Sequence, residues 1–543
     1  MKTGDLRADV LAGTTVALVG LPQCLAYATM SGLPPVYGLA TAIVPGLVAA
    51  AAGRSRFVIT GPTNTTGLLV LAALVPFLGT NGLLQPEGLG WLATLTLLCG
   101  VLRLLFAWTG GAMLLRFVPE SALAGFTIGV GILIAAMQMD EALGLAPVAG
   151  AGLWDQYRGL SNQLAVAPPS TLAVGVTAAC IAGVAMGRRL WRAVPGALLV
   201  VAAAALAAWA LGLDGSAGLP LISDRTTVGA GWPAGALPDL RPDVIGALLL
   251  PAAAIVLLGT LELMVSVRAD ESRPVMRREI VAQGVANIAG AFAAAFPASA
   301  SLTRSALLRF AEPRSRAGAA LAALLTLPVL LFGSTAIAFI PQAALAGVLF
   351  ITAASMVWHP SVGRMWRASA VSRLLLVVTT ISTLIFPLHW AVFVGAALGL
   401  IVHLVRTSVP RVRALMFDGE TLVPLAVEAG PEAVVLEVSG SVHYAAVDSL
   451  IEDAQRLVPE SARLVILDLS HAHELRFTGL RGLEWLGADL ETRGVRLRLA
   501  GVSPEVRDLL ERAGSALPYT MWDSVPGRSA WNSRNAQGPW PAR

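Results

Sequence analysis

Two stretches of this 543-residue chain place hydroxyl and amide side chains beside a proline inside otherwise apolar sequence. They are FVITGPTNTTGLLV (57–70) and FAAAFPASASLTRSALL (292–308). Each passes from an extended apolar run through a proline into a polar cluster and then a short helix. The two prolines, Pro62 and Pro297, lie 235 residues apart (297 − 62). A half-helix that starts at mid-membrane leaves its first N–H groups unpaired and presents a partial positive charge. Two such N-termini facing each other make an anion site. Thr63, Asn64, Thr65, Ser299, Ser301 and Thr303 are the candidate caps and donors, and Arg304 adds a full positive charge beside the second N-terminus. An arginine at membrane depth costs at least about 2.5 kcal/mol on insertion scales, so its presence there argues for a task.

Irregular backbone at that depth is tolerated only where protein encloses it, so long helices must surround both stretches. A span needs about 20 apolar residues. Fourteen segments qualify as candidates: 9–30, 36–52, 64–79, 88–109, 117–138, 170–187, 195–212, 243–266, 274–294, 302–312, 315–338, 342–355, 370–386 and 388–407. Of these, 64–79 and 302–312 are too short or too polar to cross alone. They are the two stretches described above, and they follow the second and ninth spans. Seven spans therefore separate them, and an odd number inverts the second copy in the membrane.

Composition agrees with this reading. The chain is 56% hydrophobic and only 13% charged, with a mean hydropathy of +0.71. A water-soluble globule, a secreted disulfide scaffold and a disordered chain are excluded. With the N-terminus inside, the segments on the inner side hold 21 basic residues, and the outer loops hold Arg158, Arg225 and Arg241 only. That asymmetry supports an even span count and this orientation. It also accounts for most of the basic excess without nucleic acid. Cys24, Cys99 and Cys180 all lie in apolar sequence, with no metal-like spacing and no disulfide pattern. The first apolar segment contains Pro22 and Gln23 and reads as a retained helix rather than a cleaved signal. The division expected is 1–410 in the membrane (repeats about 9–212 and 243–407), a soluble domain at 411–524 and a flexible tail at 525–543. In the soluble part, strands at 434–440, 463–470 and 495–501 alternate with helices at 446–458, 478–492 and 503–513, an α/β pattern. His471 and His473 read as exposed loop residues. The tail 525–543 has no periodicity.

Several segments together resemble the SulP-type (sulfate permease) anion transporter family, over residues from about 5 to about 520. They are LPQCLAYATMSGLPPVYGL (21–39), SRFVITGPTN (55–64), GFTIGVGILIAAMQ (125–138), GTLELMVSVRAD (259–270), REIVAQGVANIAGAF (278–292), FPASASLTRSAL (296–307) and IPQAALAGVLF (340–350), in that order. The soluble part resembles a STAS domain. The resemblance implies a polytopic α-helical membrane protein with a 7+7 inverted-repeat fold, core and gate domains, elevator-like movement and homodimers. It places the anion between the half-helices of spans 3 and 10. Arg304 matches the family's basic residue there, and Thr303 stands where serine is common. Gln23 and Tyr27 match first-helix positions that face the site. Glu262, inside span eight, matches an acidic position. An intramembrane carboxylate serves to carry a proton, bind a cation or balance Arg304. Sodium-coupled bicarbonate carriers of the family are expected to have a further acid one turn later. Ser266 stands there instead, which favours proton coupling. In the STAS domain, Thr478 keeps the hydroxyl of a regulatory turn, but Arg476-Phe477 replaces its acidic residue. That departure favours a structural or dimer-forming role.

The expected function is secondary active transport of sulfate or a related inorganic anion across the plasma (inner) membrane, with the N-terminus and the STAS domain cytoplasmic. The partners are the anion, protons, the lipid bilayer and a second copy of the chain. A bicarbonate or dicarboxylate carrier of the same family is the alternative. A nucleobase carrier conflicts with Arg304, and a membrane-anchored STAS signalling protein conflicts with the weakened Thr478 turn. No nucleophile–base pair, phosphate loop or metal spacing points to an enzyme, and no cofactor is expected.

Overall fold

The computed structural model describes residues 3–111, 118–148, 150, 152–190, 196–226, 231–267, 273–408, 411–418, 421–425, 431–442 and 447–521. The expected flexible tail at 525–543 lies outside them, as do Arg116, Arg192 and Arg268 of the inner segments. The chain forms two compact units, Met1–Gly399 and Leu400–Arg543.

The first half of the membrane series contains α1 (Thr3–Met30), α2 (Pro35–Ala52), strand β1 (Thr60–Gly61), α3 (Asn64–Leu74), α4 (Leu89–Trp108), α5 (Glu120–Met137), the single turn α6 (Met139–Ala142), α7 (Leu153–Val166), α8 (Thr171–Leu190) and α9 (Gly196–Leu211). The second half contains α10 (Ile222–Arg225), α11 (Pro242–Ser266), α12 (Arg273–Ala291), strand β2 (Ser299–Ala300), α13 (Leu302–Phe310), α14 (Ala317–Leu324), α15 (Leu327–Phe332), α16 (Ser334–Ala338), α17 (Gln342–Val357), α18 (Pro360–Ala368), α19 (Ala370–Ile385) and α20 (Leu388–Ser408). Helix coincides with all fourteen expected spans. Among the described residues, six helical stretches are long and apolar enough to cross a membrane unaided.

Span 315–338, expected as one helix, is three. Pro328 in the first turn of α15 and Gly333 between α15 and α16 interrupt the hydrogen-bond ladder. Four helices were not expected: the single turns α6 and α10, and the longer α7 and α18. Helix α7 carries exposed Trp154 and Tyr157, and exposed Trp358 and Trp366 flank and occupy α18. Tryptophan and tyrosine are enriched where helices meet the interface.

The two broken stretches pair with each other. Strand β1 runs antiparallel to β2, with Thr60 opposite Ala300 and Gly61 opposite Ser299. Helices α3 and α13 leave this pair in opposite directions. Helix α3 has 11 residues, and at about 1.5 Å per residue it covers about 16 Å, half of a ~30 Å hydrocarbon core. Its N-cap is Thr63, whose hydroxyl accepts from the Thr66 N–H. The N-cap of α13 is Ser301, whose hydroxyl accepts from the Arg304 N–H. The caps lie 238 residues apart (301 − 63), so the prolines at a spacing of 235 are not equivalent positions. Pro62 directly precedes its cap, whereas Pro297 lies four residues before Ser301. The capping hydroxyl, not the proline, starts each helix.

Helices α1, α2, α11 and α17 contribute to one apolar core with α3, α4 and α5. Buried carboxylates tie the loops to it. Asp9 accepts from the backbone N–H of Arg314 (2.7 Å) and Ser315 (2.9 Å). Glu279 accepts from the Ser55 N–H at 2.7 Å and from the Arg54 N–H.

The second unit contains β3 (Arg411–Asp418), β4 (Thr421–Pro424), β5 (Ala433–Val442), α21 (Val447–Leu457), β6 (Leu464–Leu475), α22 (Phe477–Thr492), β7 (Arg496–Val502), α23 (Pro504–Ala513) and β8 (Tyr519–Met521). The sheet order is β4-β3-β5-β6-β7-β8. Strands β5, β6, β7 and β8 are parallel, and β3 and β4 are antiparallel additions. All three expected strands and all three expected helices are present. Strands β3, β4 and β8 were not expected. His471 and His473 belong to strand β6, not to a loop. His471 is exposed there, with Nε2 3.4 Å from Glu437 Oε1.

Close helix crossing depends on Gly38. A β-carbon there would lie 1.9 Å from the Cys24 carbonyl oxygen, which is backbone of α1 and unable to yield. Gly38→Val is expected to destabilise the folded protein by at least about 1–3 kcal/mol. Gly246→Ala, with nothing within 4 Å of the added carbon, is expected to leave the melting temperature in detergent unchanged.

Candidate anion site

Unwound backbone inside a bundle must find partners from side chains, and here it does. The Ile59 N–H donates to Ser305 Oγ (2.9 Å), and the Ser301 N–H donates to the Ile59 carbonyl (2.8 Å). Asn287 on α12 brackets β2: its Nδ2 donates to the Ala298 carbonyl (3.0 Å), and its Oδ1 accepts from the Ala298 N–H (2.8 Å). Gln283, one turn earlier, donates to Thr60 Oγ1 at 3.1 Å. Thr41 Oγ1 accepts from the Phe296 N–H at 3.0 Å. Both breaks are thus held by buried polar residues of α2, α12 and α13.

Arg304, 4% exposed, lies in the first turn of α13 and reaches across to the other break. Its Nη2 donates to the Pro62 carbonyl at 2.6 Å, and its Nη1 lies 3.4 Å from Cys24 Sγ. Its Nε has no partner, and none of the described carboxylates pairs with it. Beside it is a cavity of about 20 Å³ bounded by α1, α2 and α14, with Gly20, Cys24, Thr60 and Thr326 in its wall. Glu262 is held instead by Thr65 in the first turn of α3, whose hydroxyl donates to Oε1. A carboxylate is favourably placed at a helix N-terminus. Its Oε2 has no partner. The reading of Glu262 as ion-paired balance for Arg304 is therefore corrected: each occupies the N-terminal region of a half-helix, and no salt bridge joins them.

The other expected residues divide. Ser299, within β2, donates to the Gly259 carbonyl on α11 at 3.2 Å. Asn64 turns toward α17, its Nδ2 2.9 Å from Met356 Sδ. Tyr27 is buried in the core, with its phenol against Thr352. Gln23 is half-buried, and its Oε1 is without a partner. Thr303 is exposed, with its hydroxyl 3.4 Å from that of Ser301. Thr63 and Ser301 alone act as caps; Asn64, Thr65, Ser299 and Thr303 do not. Thr478 is exposed in the first turn of α22, in the second unit.

Sequence reasoning missed Gln283, Asn287 and Arg103. The signal was available: VAQGVANIAG puts two amides at i and i+4 on an apolar helix, one face of α12. Arg103 is a lone arginine within the expected span 88–109.

A second polar cavity, about 70 Å³, is lined by Thr29, Gln138, Asp140, Glu141, Gln156, Arg225 and Gln342 among others. Glu141 pairs with Arg225 at 2.8 Å. Asp140 accepts from the backbone N–H of Glu141 (2.8 Å) and Val148 (2.9 Å). Burial first, and the neighbouring Glu141 second, push its carboxyl up to about 7.

Taken together, the fold and site define a multi-pass helical membrane protein with two opposed half-helix N-termini and a buried, carboxylate-free arginine at their junction. The chain belongs to the sulfate permease family, whose pattern it matches over residues 6–379, and residues 425–525 match the STAS domain. It is an anion transporter of that family, not an enzyme. It is 27% identical over 535 residues to the probable sulfate transporter MT1781 of Mycobacterium tuberculosis (strain CDC 1551 / Oshkosh), covering 96% of this chain and 93% of that protein. It is 25% identical over 412 residues to the bicarbonate transporter BicA of Picosynechococcus sp. (strain ATCC 27264 / PCC 7002 / PR-6), covering 74% of this chain and 71% of BicA. The solved structure of the murine Slc26a9 anion transporter in its inward-facing state superposes with a TM-score of 0.82 at 18% identity, over 95% of this chain and 88% of that one. That likeness shows the shared fold.

Two measurements check this geometry. Asn287→Leu leaves the Ala298 N–H and C=O without their partner, at about 1–3 kcal/mol for each buried group. Its thermal midpoint should fall well below that of Asn287→Asp, which keeps the acceptor half. For Asp140, the folded carboxyl holds its proton up to about 7, against an ordinary value of 3.8. Its contribution to stability is therefore fully present below 3.8 and is lost as pH rises through about 7. The stability of Asp140→Asn relative to the parent should rise across that window and level off above it.

Proposed function

We propose that this chain is a secondary active carrier of sulfate or a related inorganic anion, coupled to protons. We place it in the plasma (inner) membrane as a homodimer, with its N-terminus and STAS domain cytoplasmic. The observation that carries the reading is Arg304. It is buried at the junction of two capped half-helices and bound only by a backbone carbonyl and a thiol. A charge so placed attracts an anion more strongly than it would in water. The helix N-termini add backbone donors and partial positive charge.

Glu262 supplies the coupling. Ionised, it occupies the N-terminal region of α3 through Thr65, and like charges a few ångströms apart in a partly dehydrated site repel by a few kcal/mol. An arriving anion therefore competes with the carboxylate. Protonation removes the competition, so anion and proton bind together. Movement of the paired breaks as one body past the remaining helices, in an elevator-like step, then exposes the site to the other side. Ser266 in place of a second acid argues for protons over sodium. The excess of basic residues on the expected inner segments supports the orientation.

A bicarbonate or dicarboxylate cargo is the second reading, favoured by the relationship to BicA. The STAS domain, without an acidic residue before Thr478, is read as structural or dimer-forming.

Uptake into proteoliposomes from a panel of sulfate, bicarbonate, dicarboxylates and uracil, with and without a pH gradient, tests the function. Sulfate uptake driven by an inward proton gradient is expected. Arg304→Ala is expected to reduce it at least tenfold while the protein elutes as the parent does on size exclusion. Undiminished uptake by Arg304→Ala would sink the assignment.

A further inference from the structure

The Arg103 guanidinium is a second buried charge in this part of the bundle, and anion binding at Arg304 does not use it. It is 1% exposed. Its Nη1 donates to Gln283 and to the Ala298 carbonyl, the latter at 3.0 Å. Its Nε and Nη2 have no partner. Of these, Nη2 sits against α11. A β-carbon at Gly259 would lie 2.2 Å from Arg103 Nη2 and 2.7 Å from Ser299 Oγ. Glu262 is three residues further along the same helix, a spacing that shares a face, and its Oε2 is also buried without a partner. An unpaired cationic donor and an unpaired carboxylate oxygen thus lie within one helical turn, with the Ser299 hydroxyl between them.

The other groups around Glu262 are already committed or carry no charge. From α13, Arg304 is bound to Pro62, and Arg309 donates to the Ser266 carbonyl at 2.6 Å. From α12, Gln283 is neutral, and Glu279 is turned to the Arg54 and Ser55 N–H groups. From α4, Cys99 has its thiol 3.8 Å from the Ala252 carbonyl. From α1 come Tyr27 and Cys24, α3 offers Thr65, and its cap Thr63 and Ser299 of β2 add neutral hydroxyls. Arg103 is the one of these charges with a free donor, Nη2, on the Glu262 face of α11.

We propose that Arg103 is the counter-charge of Glu262, a positioning residue that sets the pH at which proton and anion binding are coupled. The proposal rests on the reading of Glu262 as the proton carrier. In the empty carrier, Arg103 favours the ionised carboxylate, which blocks the α3 N-terminus. A proton added to Glu262 leaves Arg103 in place through Gln283 and Ala298, so the fixed charge stays while the mobile one is neutralised. Arg103 also ties this event to β2, because the Ala298 carbonyl belongs to the break that carries Ser299 and Ser301.

The test is the pH profile of sulfate uptake in proteoliposomes of the full-length protein. Glu262→Gln should flatten the profile. Arg103→Gln should move its midpoint toward alkaline pH by about one to three units, the usual influence of an opposite charge within a few ångströms. Arg103→Lys should return the midpoint toward that of the parent. Should Arg103→Gln fail to fold, Gly259→Ala, which displaces Nη2 with the side chain intact, should shift the midpoint in the same direction. A flat profile in Glu262→Gln with an unmoved midpoint in Arg103→Gln, or in Gly259→Ala where it must stand in, overturns the role of Arg103 and leaves the coupling role of Glu262 intact. A parental profile in Glu262→Gln overturns the coupling role itself. A purely structural Arg103 would change the amount of active protein without moving the midpoint.

Discussion

The two-residue antiparallel pairing of Thr60–Gly61 with Ser299–Ala300 is the constraint on which the membrane unit is built. In water such a short ladder would contribute little. Inside a bundle it joins two chain breaks whose polar backbone has no solvent to turn to. Once the strands pair, α3 and α13 must leave in opposite directions, and both first turns open at the same depth. Ser305, Thr41, Gln283 and Asn287 then exist to finish the hydrogen bonding that two residues of ladder leave undone. Removing one of these side chains exposes an unsatisfied group rather than a merely weaker contact.

The same constraint fixes where charge is tolerated. A guanidinium is retained at 4% exposure because a carbonyl of the opposite break, that of Pro62, is free to accept from it. The proline of the first break has no N–H of its own to offer. Its position just before the Thr63 cap leaves its carbonyl outside the α3 ladder and open to Arg304. Break, cap and cation are therefore one arrangement, and the close approach of α1 to α2 at Gly38 brings Cys24 to the other side of the guanidinium.

Much of this was legible in the sequence, for identifiable reasons. Apolar runs long enough to span, and their order, follow from hydropathy, so helix appeared at every expected span. The breaks were visible as proline and hydroxyl clusters in apolar surroundings. Their register was not, because the proline catches the eye while a hydroxyl one residue on in the first break and four on in the second starts the helix; the offset moved from 235 to 238. Amphipathic helices α7 and α18 escaped because neither is apolar throughout. Strands β4 and β8 are too short for periodicity to register. Pairing partners are the deepest loss. That Glu262 answers to Thr65 rather than Arg304 depends on how α11 packs across α3, and one sequence does not carry that information.

Arg103 shows why charge at membrane depth must be read through its neighbours. Its insertion cost is the same whether it serves structure or transport, and its two bonds through Nη1 to Gln283 and Ala298 satisfy a structural role. Complete satisfaction would have used Nε and Nη2 as well. Nη2 is left against Gly259, where any side chain would collide with it, one turn from a carboxylate that also keeps an oxygen free. A network built for stability alone would close that gap with a direct ion pair. On the proposed coupling, leaving it open lets Glu262 gain and lose a proton while the arginine stays anchored. That separation of a fixed cation from a titratable anion is what a site needs if binding is to depend on pH without the fold depending on it too.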